Sequence, residues 1–291
     1  MVGCELCPRR CGIDRTVGEI GICGQGTEMR IARAALHPFE EPSVSGTRGS
    51  GTVFFVGCSL GCVFCQNRRI SRSQETGETV TPDELSEIFL RLEGEGAHNI
   101  NLVTPTHFAD GVIEALTRVK ARLTIPVLYN TSGYERVETL RRLEGLVDIY
   151  MPDFKYADST LAETLSSAPD YPQVAEAALL EMYRQVGAYE LNEEGLLRRG
   201  LLVRHLVLPG FRKDSMAVLD RLAALFPKRD ILLSLMSQYT PDFADDASVS
   251  SLHRRLTRFE YETVAERVQT LGFEGYLQEK SSASAAYTPD F

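Results

Sequence analysis

Three cysteines lie within eight residues of one another, in the segment CSLGCVFC, directly after the apolar stretch TVFFVG. Cys58, Cys62 and Cys65 thus put three thiols on one short loop. Three thiolates can anchor three corners of a cubane [4Fe–4S] cluster, whereas electron-transfer clusters usually take a fourth cysteine. An iron without a protein ligand has an open coordination position, like the metal of a catalytic zinc site. The spacing predicts a catalytic metal centre, with a zinc knuckle completed by a distant fourth ligand as the alternative.

Four more cysteines precede that loop. Cys4, Cys7, Cys11 and Cys23 follow the spacing C-x2-C-x3-C-x11-C, which is enough for a complete four-thiolate site. This three-plus-one pattern differs from the two pairs of a zinc ribbon, so we predict a second site that holds either an auxiliary iron–sulfur cluster or zinc. All 7 cysteines of the chain lie before residue 66, which does not suit a disulfide framework.

Strand-like and helix-like segments alternate from residue 52 onward. Segments with helical spacing separate the apolar runs, and one of them begins with Thr81 as a predicted N-cap and Glu84 as its capping-box partner. This alternation predicts parallel strands in an open doubly wound sheet or in a full or partial β/α barrel. The predicted strands are 52–57, 99–105, 125–133, 147–155, 201–210, 230–239 and 273–279.

Polar segments follow the predicted strands. Active sites of both architectures lie at the carboxyl ends of the strands, so the three-cysteine loop and these segments should share one edge. Asp153 and Lys155 are two residues apart, on the same side of an extended segment, and are expected to form a pair inside a barrel. Arg204 and His205 face opposite sides, and we expect one of the two to enter the site.

The composition is typical of a soluble globular protein, with 43% apolar and 24% charged residues. A formal net charge of −9 argues against a protein whose affinity comes from neutralising phosphates, so nucleic-acid binding is not expected. No apolar run reaches membrane-spanning length, and the N-terminus lacks the apolar segment of a secretory signal. We therefore expect a cytoplasmic protein without a membrane partner.

The chain divides into three predicted parts. Residues 1–50 are rich in Gly, Pro and Arg, lack apolar periodicity and are interpreted as an irregular, cysteine-rich metal-binding module. Residues 51–280 carry the repeated strand–helix units. The segment SSASAA begins a predicted flexible C-terminal tail, residues 281–291.

The loop C-x3-C-x2-C, with Phe64 before its last cysteine, resembles the signature of radical S-adenosylmethionine (radical SAM) enzymes. The segments CELCPRRCG, TVFFVGCSLGCVFCQN, VTPTHF, YNTSGY, MPDFKY, LVLPGF and LMSQYTP resemble an uncharacterised branch related to pyruvate formate-lyase activating enzymes. The resemblance implies a partial (β/α)6-type barrel behind the small N-terminal cysteine-rich module. It also implies a [4Fe–4S] cluster on Cys58, Cys62 and Cys65, with S-adenosylmethionine on the open iron.

The resemblance further implies an oxidoreductase reaction. One electron from a flavodoxin- or ferredoxin-type donor would cleave S-adenosylmethionine to methionine and a 5′-deoxyadenosyl radical, which takes a hydrogen atom from a substrate. Glycyl-radical activation of a protein is the case that the family suggests. Modification of a small molecule or nucleotide is the second hypothesis, and a non-catalytic iron–sulfur electron carrier or sensor is the third.

Candidate cofactor contacts follow from the same resemblance. Asn130 and Thr131 match a stretch of the activating enzymes that contacts the cofactor, and Tyr239 falls where relatives have a histidine on the cofactor side. The segment 104–107, TPTH, stands where the superfamily has a Gly-Gly-Glu stretch that grips the methionine amine, and backbone carbonyls or threonine hydroxyls are the expected replacements for that Glu contact. The implied cofactor-binding residues are Thr104, Thr106, His107, Asn130, Thr131, Asp153, Lys155 and Tyr239.

Overall fold

A computed structural model of the chain describes residues 3–72, 77–244 and 249–278. The predicted flexible tail, 281–291, lies outside the described residues. None of the helices in those ranges is long and apolar enough to cross a membrane.

The described ranges contain strands and α-helices in alternation, joined in places by short 3-10 helices. The strands are β1 (Met29–His37), β2 (Ser50–Phe55), β3 (Glu78–Val80), β4 (Ile100–Val103), β5 (Val127–Thr131), β6 (Ile149–Pro152), β7 (Glu190–Leu191), β8 (Leu197–Leu206), β9 (Ile231–Met236) and β10 (Glu274–Leu277). The helices are α1 (Pro42–Ser45), α2 (Arg68–Ser71), α3 (Pro82–Gly94), α4 (Ala109–Val119), α5 (Val137–Arg141), α6 (Ser159–Ser166), α7 (Tyr171–Val186), α8 (Arg212–Leu225) and α9 (Arg258–Leu271).

The strands form one sheet in the order β10-β9-β8-β6-β5-β4-β2-β1-β3, with β7 paired to β8. The pairings along β2-β4-β5-β6-β8-β9-β10 are all parallel, whereas β1 runs antiparallel to both β2 and β3, and β7 runs antiparallel to β8. Each strand predicted from the apolar runs is present, with bounds that differ by a few residues. The predicted α/β class and the partial barrel of largely parallel strands are therefore confirmed.

The prediction of irregular structure up to residue 50 is wrong for residues 29–37. These residues form β1, which pairs with β2 in a register that sets Ala34 opposite Val53. Only Met29 and Ile31 of β1 are buried, and Arg30 and Arg33 interrupt the apolar pattern, so the segment lacks the continuous apolar run of the other strands. Pairing with a neighbour, which depends on tertiary structure, makes it a strand.

The chain after β1 closes the amino-terminal end of the barrel. His37, the last residue of β1, pairs with Ser50, the first residue of β2, so the connecting segment lies at the end of the barrel where the parallel strands begin. This segment contains α1, and its Val44 is fully buried. Val44 packs in an apolar cluster with Leu128, Ile149, Met151, Leu197, Leu202 and Leu232. That cluster leaves the opposite, carboxyl end of the strands for the site.

Helix α3 begins where its sequence predicts. The Thr81 hydroxyl accepts a hydrogen bond from the Glu84 backbone N–H at 3.2 Å, and the Thr81 N–H donates to the Glu84 carboxylate at 2.8 Å. The capping box is thus complete and satisfies N–H groups that a helix end would otherwise leave free. The prediction of Thr81 as the N-cap is confirmed.

Truncating the buried valine of α1 should destabilise the barrel. Val44→Ala should lower the free energy of unfolding by about 2 kcal/mol, because it removes buried methyl groups and leaves a cavity. Val17→Ala is the matched control, since Val17 is 68% exposed and its truncation should change stability by less than about 0.5 kcal/mol. Anaerobic urea denaturation checks both variants. Equal effects would contradict the placement of α1 in the barrel.

Candidate active site

A cavity of about 320 Å³ lies at the carboxyl ends of the parallel strands. Its volume is within the range of small-molecule sites. Apolar side chains, among them Leu60, Phe64 and Met236, line it together with polar ones. The predicted site residues in its lining are Cys58, Cys62, Cys65, Thr104, Asn130, Thr131, Asp153 and Lys155.

The three-cysteine loop leaves the end of β2 through a turn that requires glycine. Gly57 has φ +89°, a left-handed conformation that glycine adopts without steric cost. A Cβ at this position would lie 2.6 Å from the Cys23 carbonyl oxygen and 3.1 Å from the His107 ring. The Gly57 N–H donates to the Ile70 carbonyl at 2.9 Å. This turn carries the loop across the strand ends.

Each sulfur of the loop has a hydrogen-bonding partner. The contacts are Leu60 N–H to Cys58 Sγ (3.4 Å), Ser166 Oγ–H to Cys62 Sγ (2.9 Å) and Ser71 Oγ with Cys65 Sγ (3.3 Å). Hydrogen bonds to the sulfurs orient metal-ligating thiolates and tune the reduction potential of iron–sulfur clusters. The three hydrogen bonds at the loop are of this kind.

The three thiols are close enough to affect one another. Burial raises the pKa of Cys58, and the neighbouring Cys62 and Cys65 raise it further, while Lys155 opposes the shift. Burial and Cys62 likewise raise the pKa of Cys65. Buried thiols in such proximity become thiolates together only when positive charge, such as that of metal ions, compensates them.

A single-ion site is not formed by these side chains. Within the described ranges, no group of three or more His, Cys, Asp or Glu side chains is arranged around one metal ion. In a cubane cluster each cysteine binds a different iron, so its sulfurs do not meet at one point. Three cysteines supply three of the four ligands of such a cluster.

A half-buried ion-pair network lines the same cavity as the three-cysteine loop. Lys155 Nζ donates to Asp153 Oδ2 at 2.6 Å, and Arg204 Nε donates to Asp153 Oδ1 at 3.0 Å. Burial alone would raise the pKa of Asp153, but the charges of Lys155 and Arg204 outweigh it and lower that pKa. The expected Asp153–Lys155 pair is confirmed, and its carboxylate stays ionised at neutral pH.

Arg204 is the member of the Arg204–His205 pair that enters the site. Its guanidinium donates to Asn130 Oδ1 at 2.7 Å and contacts Glu40 Oε2 at 3.4 Å. The side chain of His205 lies elsewhere, and its Nδ1 bonds to the Phe154 carbonyl at 2.7 Å. The opposite orientation that the sequence predicts for these two residues is therefore confirmed.

Two carboxylates in the cavity lining, Glu40 and Glu41, were missed by the sequence interpretation. Glu41 is buried and Glu40 is half-buried, and burial raises the pKa of each. Glu40 also accepts from Asn101 Nδ2 at 2.9 Å. The segment HPFEEP contains the only signal, a pair of acidic residues before a proline, but it lies in the part of the chain interpreted as an irregular module.

Thr104, at the end of β4, has an unusual backbone conformation. Its φ is +57°, which is uncommon for a non-glycine residue and costs a β-branched one about 1–2 kcal/mol. The Thr104 N–H donates to the Asn130 carbonyl at 2.8 Å, and the residue lines the cavity. Such strain persists where the surrounding structure enforces it, commonly at functional sites.

Thr106, His107 and Tyr239 lie outside the cavity lining. His107 is buried, and its Nε2 donates to the Val56 carbonyl at 2.7 Å. The Tyr239 hydroxyl donates to the Leu252 carbonyl at 2.5 Å. These contacts anchor the chain around the site, and the cofactor contacts expected for the three residues stay predictions.

A third carboxylate that the sequence interpretation missed lies behind the cavity wall. Glu135 is 1% exposed and accepts hydrogen bonds from the hydroxyls of Thr106 and Thr131. Burial raises its pKa to about 7, although both threonines counteract the shift. Thr131 thus links this carboxylate to the cavity.

The four N-terminal thiols belong to a segment that is hydrogen-bonded to the three-cysteine loop. Cys7 and Cys23 are buried, Cys4 and Cys11 are half-buried, and all four are free of disulfides. Burial raises the pKa of Cys7 to about 11, with a further contribution from Cys23. The Cys58 N–H donates to the Cys23 carbonyl at 3.3 Å, which joins the two groups of cysteines.

Comparisons with known proteins agree with this geometry. A family model described as the Radical SAM superfamily matches residues 52–223. The uncharacterized protein MJ0674 of Methanocaldococcus jannaschii is 28% identical over 274 residues, which are 90% of this chain and 73% of that protein.

Two solved structures share the fold. A radical SAM methyltransferase from Sphaerobacter thermophilus has a TM-score of 0.52 and 16% identity, over 79% of this chain and 66% of that one. Streptococcus suis SuiB, bound to the precursor peptide SuiA, has a TM-score of 0.51 and 13% identity, over 76% of this chain. The chain spans 46% of the length of SuiB, so the likeness covers less than half of that protein.

The strained backbone at Thr104 predicts that glycine is more stable than alanine there, the reverse of their order inside a helix. Thr104→Gly should be more stable than Thr104→Ala by about 1 kcal/mol, because only glycine adopts a positive φ without cost. At the exposed Thr164 inside α6, the alanine variant should instead be the more stable by about 1 kcal/mol. Thermal unfolding of the four variants checks the order. Alanine ahead of glycine at both positions would contradict the conformation at Thr104.

The buried Glu135 predicts a dependence of stability on pH. Its folded-state pKa of about 7 exceeds the ordinary 4.5, so between these values the folded chain binds more protons than the unfolded chain. The free energy of unfolding should then fall as pH rises through this window, by up to about 3 kcal/mol. Glu135→Gln should lack this decrease, and its stability relative to wild type should rise from pH 5 to pH 8.

Denaturation curves at several pH values measure that difference. The control is Glu193→Gln, which removes an exposed carboxylate and should follow the wild type within about 0.5 kcal/mol at each pH. A constant difference between Glu135→Gln and wild type would show that Glu135 does not titrate in this range.

Proposed function

The chain belongs to the radical SAM superfamily, and on that premise we propose that it cleaves S-adenosylmethionine reductively and abstracts hydrogen from a peptide or protein. Membership implies a [4Fe–4S] cluster and S-adenosylmethionine as cofactors. The observation that carries the proposal is the shared cavity, where the thiols of Cys58, Cys62 and Cys65 face the Asp153–Lys155–Arg204 network.

The three thiols would hold the cluster and leave one iron without a protein ligand. When bound there, the cluster supplies the electron that cleaves S-adenosylmethionine to methionine and a 5′-deoxyadenosyl radical, which takes the hydrogen atom. The chain's part is to bind, orient and shield the reactants. Leu60, Phe64 and Met236 in the lining exclude water from the place where a radical would form.

The charged residues would bind and orient S-adenosylmethionine. Lys155 lies close enough to the loop for its charge to act on Cys58, which suits an anionic cluster. The carboxylate of Asp153 is fixed by two charge-assisted hydrogen bonds and is available to a cationic group of the cofactor. Asn130, held by Arg204, and Thr131 border the same space. We assign cofactor contacts to Asn130, Thr131, Asp153 and Lys155.

A peptide or protein is the proposed substrate. SuiB, which shares the fold, binds a precursor peptide, and the segments around the three-cysteine loop resemble those of glycyl-radical activating enzymes. A glycyl Cα–H suits this chemistry because the resulting radical is delocalised over the adjacent amide nitrogen and carbonyl. The electron would come from a flavodoxin- or ferredoxin-type protein.

Anaerobic reconstitution with iron and sulfide tests the reaction. With dithionite and S-adenosylmethionine, the protein should produce 5′-deoxyadenosine and methionine. Cys62→Ala should reduce production to background, whereas Val63→Ala, a change of a half-buried apolar residue in the same loop, should keep it. Cleavage by Cys62→Ala at the wild-type rate would refute the assignment, and no cleavage by the wild type would favour an electron carrier or sensor.

Deuterium transfer identifies the class of substrate. A peptide deuterated at glycine Cα should transfer its label to 5′-deoxyadenosine, as detected by mass spectrometry. Label that arrives only from deuterated small molecules would replace the peptide proposal with the small-molecule one.

A further inference from the structure

The N-terminal cysteine segment is not held together by a hydrophobic core. Between residues 3 and 28 the regular structure consists of one 3-10 helix, Arg15–Val17. Val17, Ile20 and Ile22 are 68%, 51% and 64% exposed, whereas Cys7 and Cys23 are each 5% exposed. A short segment that exposes its large apolar side chains and buries its thiols needs another cross-link, and metal ligation supplies one in such modules.

The thiols of this segment are close to one another. The Sγ atoms of Cys11 and Cys23 both lie 3.4 Å from the position of a Cβ on Gly21, so any side chain there would press on both sulfurs. Four free thiols match the ligand set of a cubane cluster, in which each cysteine binds a different iron and the sulfurs do not meet around one ion.

Arg15 holds a positive charge against one of these sulfurs. Its guanidinium donates to Cys23 Sγ at 3.2 Å and to the His107 carbonyl at 2.6 Å. A cation that donates to sulfur favours the thiolate and stabilises added negative charge on a metal centre. Because His107 in turn bonds to Val56, beside the three-cysteine loop, Arg15 also fixes the segment to that loop.

A direct hydrogen bond connects the two groups of cysteines. The Cys58 N–H donates to the Cys23 carbonyl at 3.3 Å, and Gly57 allows that carbonyl to approach. A path from Cys23 Sγ to Cys58 Sγ therefore consists of covalent bonds and this one hydrogen bond. Bond lengths limit the distance between the two sulfurs to roughly 12 Å.

We infer that Cys4, Cys7, Cys11 and Cys23 hold a second iron–sulfur cluster, which passes one electron to the cluster of the three-cysteine loop through Cys23 and Cys58. A flavodoxin- or ferredoxin-type donor is oxidised by one electron as it reduces the second cluster. The second cluster is reoxidised as the loop cluster gains that electron, and no atom is transferred. The relay rests on the proposed function, whereas the metal site itself does not.

The position of the segment suits a relay. Residues 16–20 are exposed, so a donor protein can approach the four thiols from solvent. The loop cysteines face the cavity on the other side of the Cys23–Cys58 hydrogen bond. An electron that enters at the surface thus reaches the cavity without opening it to water.

Metal analysis of a variant without the loop cysteines, compared with the wild type, tests the N-terminal metal site. The triple variant Cys58→Ala/Cys62→Ala/Cys65→Ala, purified anaerobically, should bind about four iron and four sulfide per chain, and the wild type about eight of each. On reduction the variant should give the electron paramagnetic resonance signal of a [4Fe–4S]⁺ cluster. Zinc in the variant, or only about four iron in the wild type, would overturn the inference. The two claims can fail separately. If the triple variant binds iron but the wild type does not cleave S-adenosylmethionine, only the proposed function is refuted.

Redox titration tests the role of Arg15. Arg15→Met should shift the midpoint potential of the second cluster to a more negative value, because the N–H donor to Cys23 is lost, and leave the loop cluster unchanged. Arg10→Met, which removes an exposed charge from the same segment, is the control. No shift in Arg15→Met, or an equal shift in both variants, would contradict the placement of the cluster at Cys23.

Rapid-freeze spectroscopy tests the relay. In Cys4→Ala/Cys11→Ala, reduction of the loop cluster by reduced ferredoxin should be slower by about tenfold or more, equivalent to about 1.4 kcal/mol of activation free energy. Reduction by dithionite, a small molecule that can enter the cavity, should reach the wild-type extent and so reports that the loop cluster is intact. Equal rates with ferredoxin in variant and wild type would overturn the relay.

Discussion

At Gly57 the backbone leaves β2 with φ +89° and passes against the Cys23 carbonyl and the His107 ring. Three parts of the chain meet there: the end of the first parallel strand, the N-terminal cysteine segment and the turn after β4. The Cys58 N–H then meets the Cys23 carbonyl, and the loop begins. A side chain at residue 57 would clash with the Cys23 carbonyl. Glycine at this position therefore allows the loop to pass close to the N-terminal segment.

The charges around the cavity need partners because they are largely withdrawn from water. Asp153 and Glu40 surround Arg204, and Lys155 extends the network toward the sulfurs. Buried charges are costly unless they are paired and hydrogen-bonded, so this network does more to define one arrangement of side chains than to stabilise the fold. Lys155, the cation of this network that acts on the loop sulfurs, would also compensate the negative charge of a cluster. The ion pairs inside the barrel therefore position a group that the chemistry at its end would use.

Local patterns predicted much of this structure. The spacing of the loop cysteines, the apolar strands and the capping box of Thr81 depend on nearby residues, and all were found where expected. The Asp153–Lys155 pair followed from the period of a strand. Residues placed by distant contacts were harder: β1 depends on pairing with β2, and Glu40 reaches the cavity only because the segment around α1 enters the barrel. Glu135 is of a residue type that is mostly exposed, and no local pattern in the sequence indicates that tertiary packing buries it.

The account as a whole depends on one iron of the loop cluster having no protein ligand. Mössbauer spectroscopy of the ⁵⁷Fe-reconstituted protein, recorded with and without S-adenosylmethionine, examines that iron directly. We predict that one iron of the loop cluster changes its isomer shift when S-adenosylmethionine binds, while the other three keep theirs. Spectra that are identical in both samples would mean that every iron is already fully ligated, and would contradict the account.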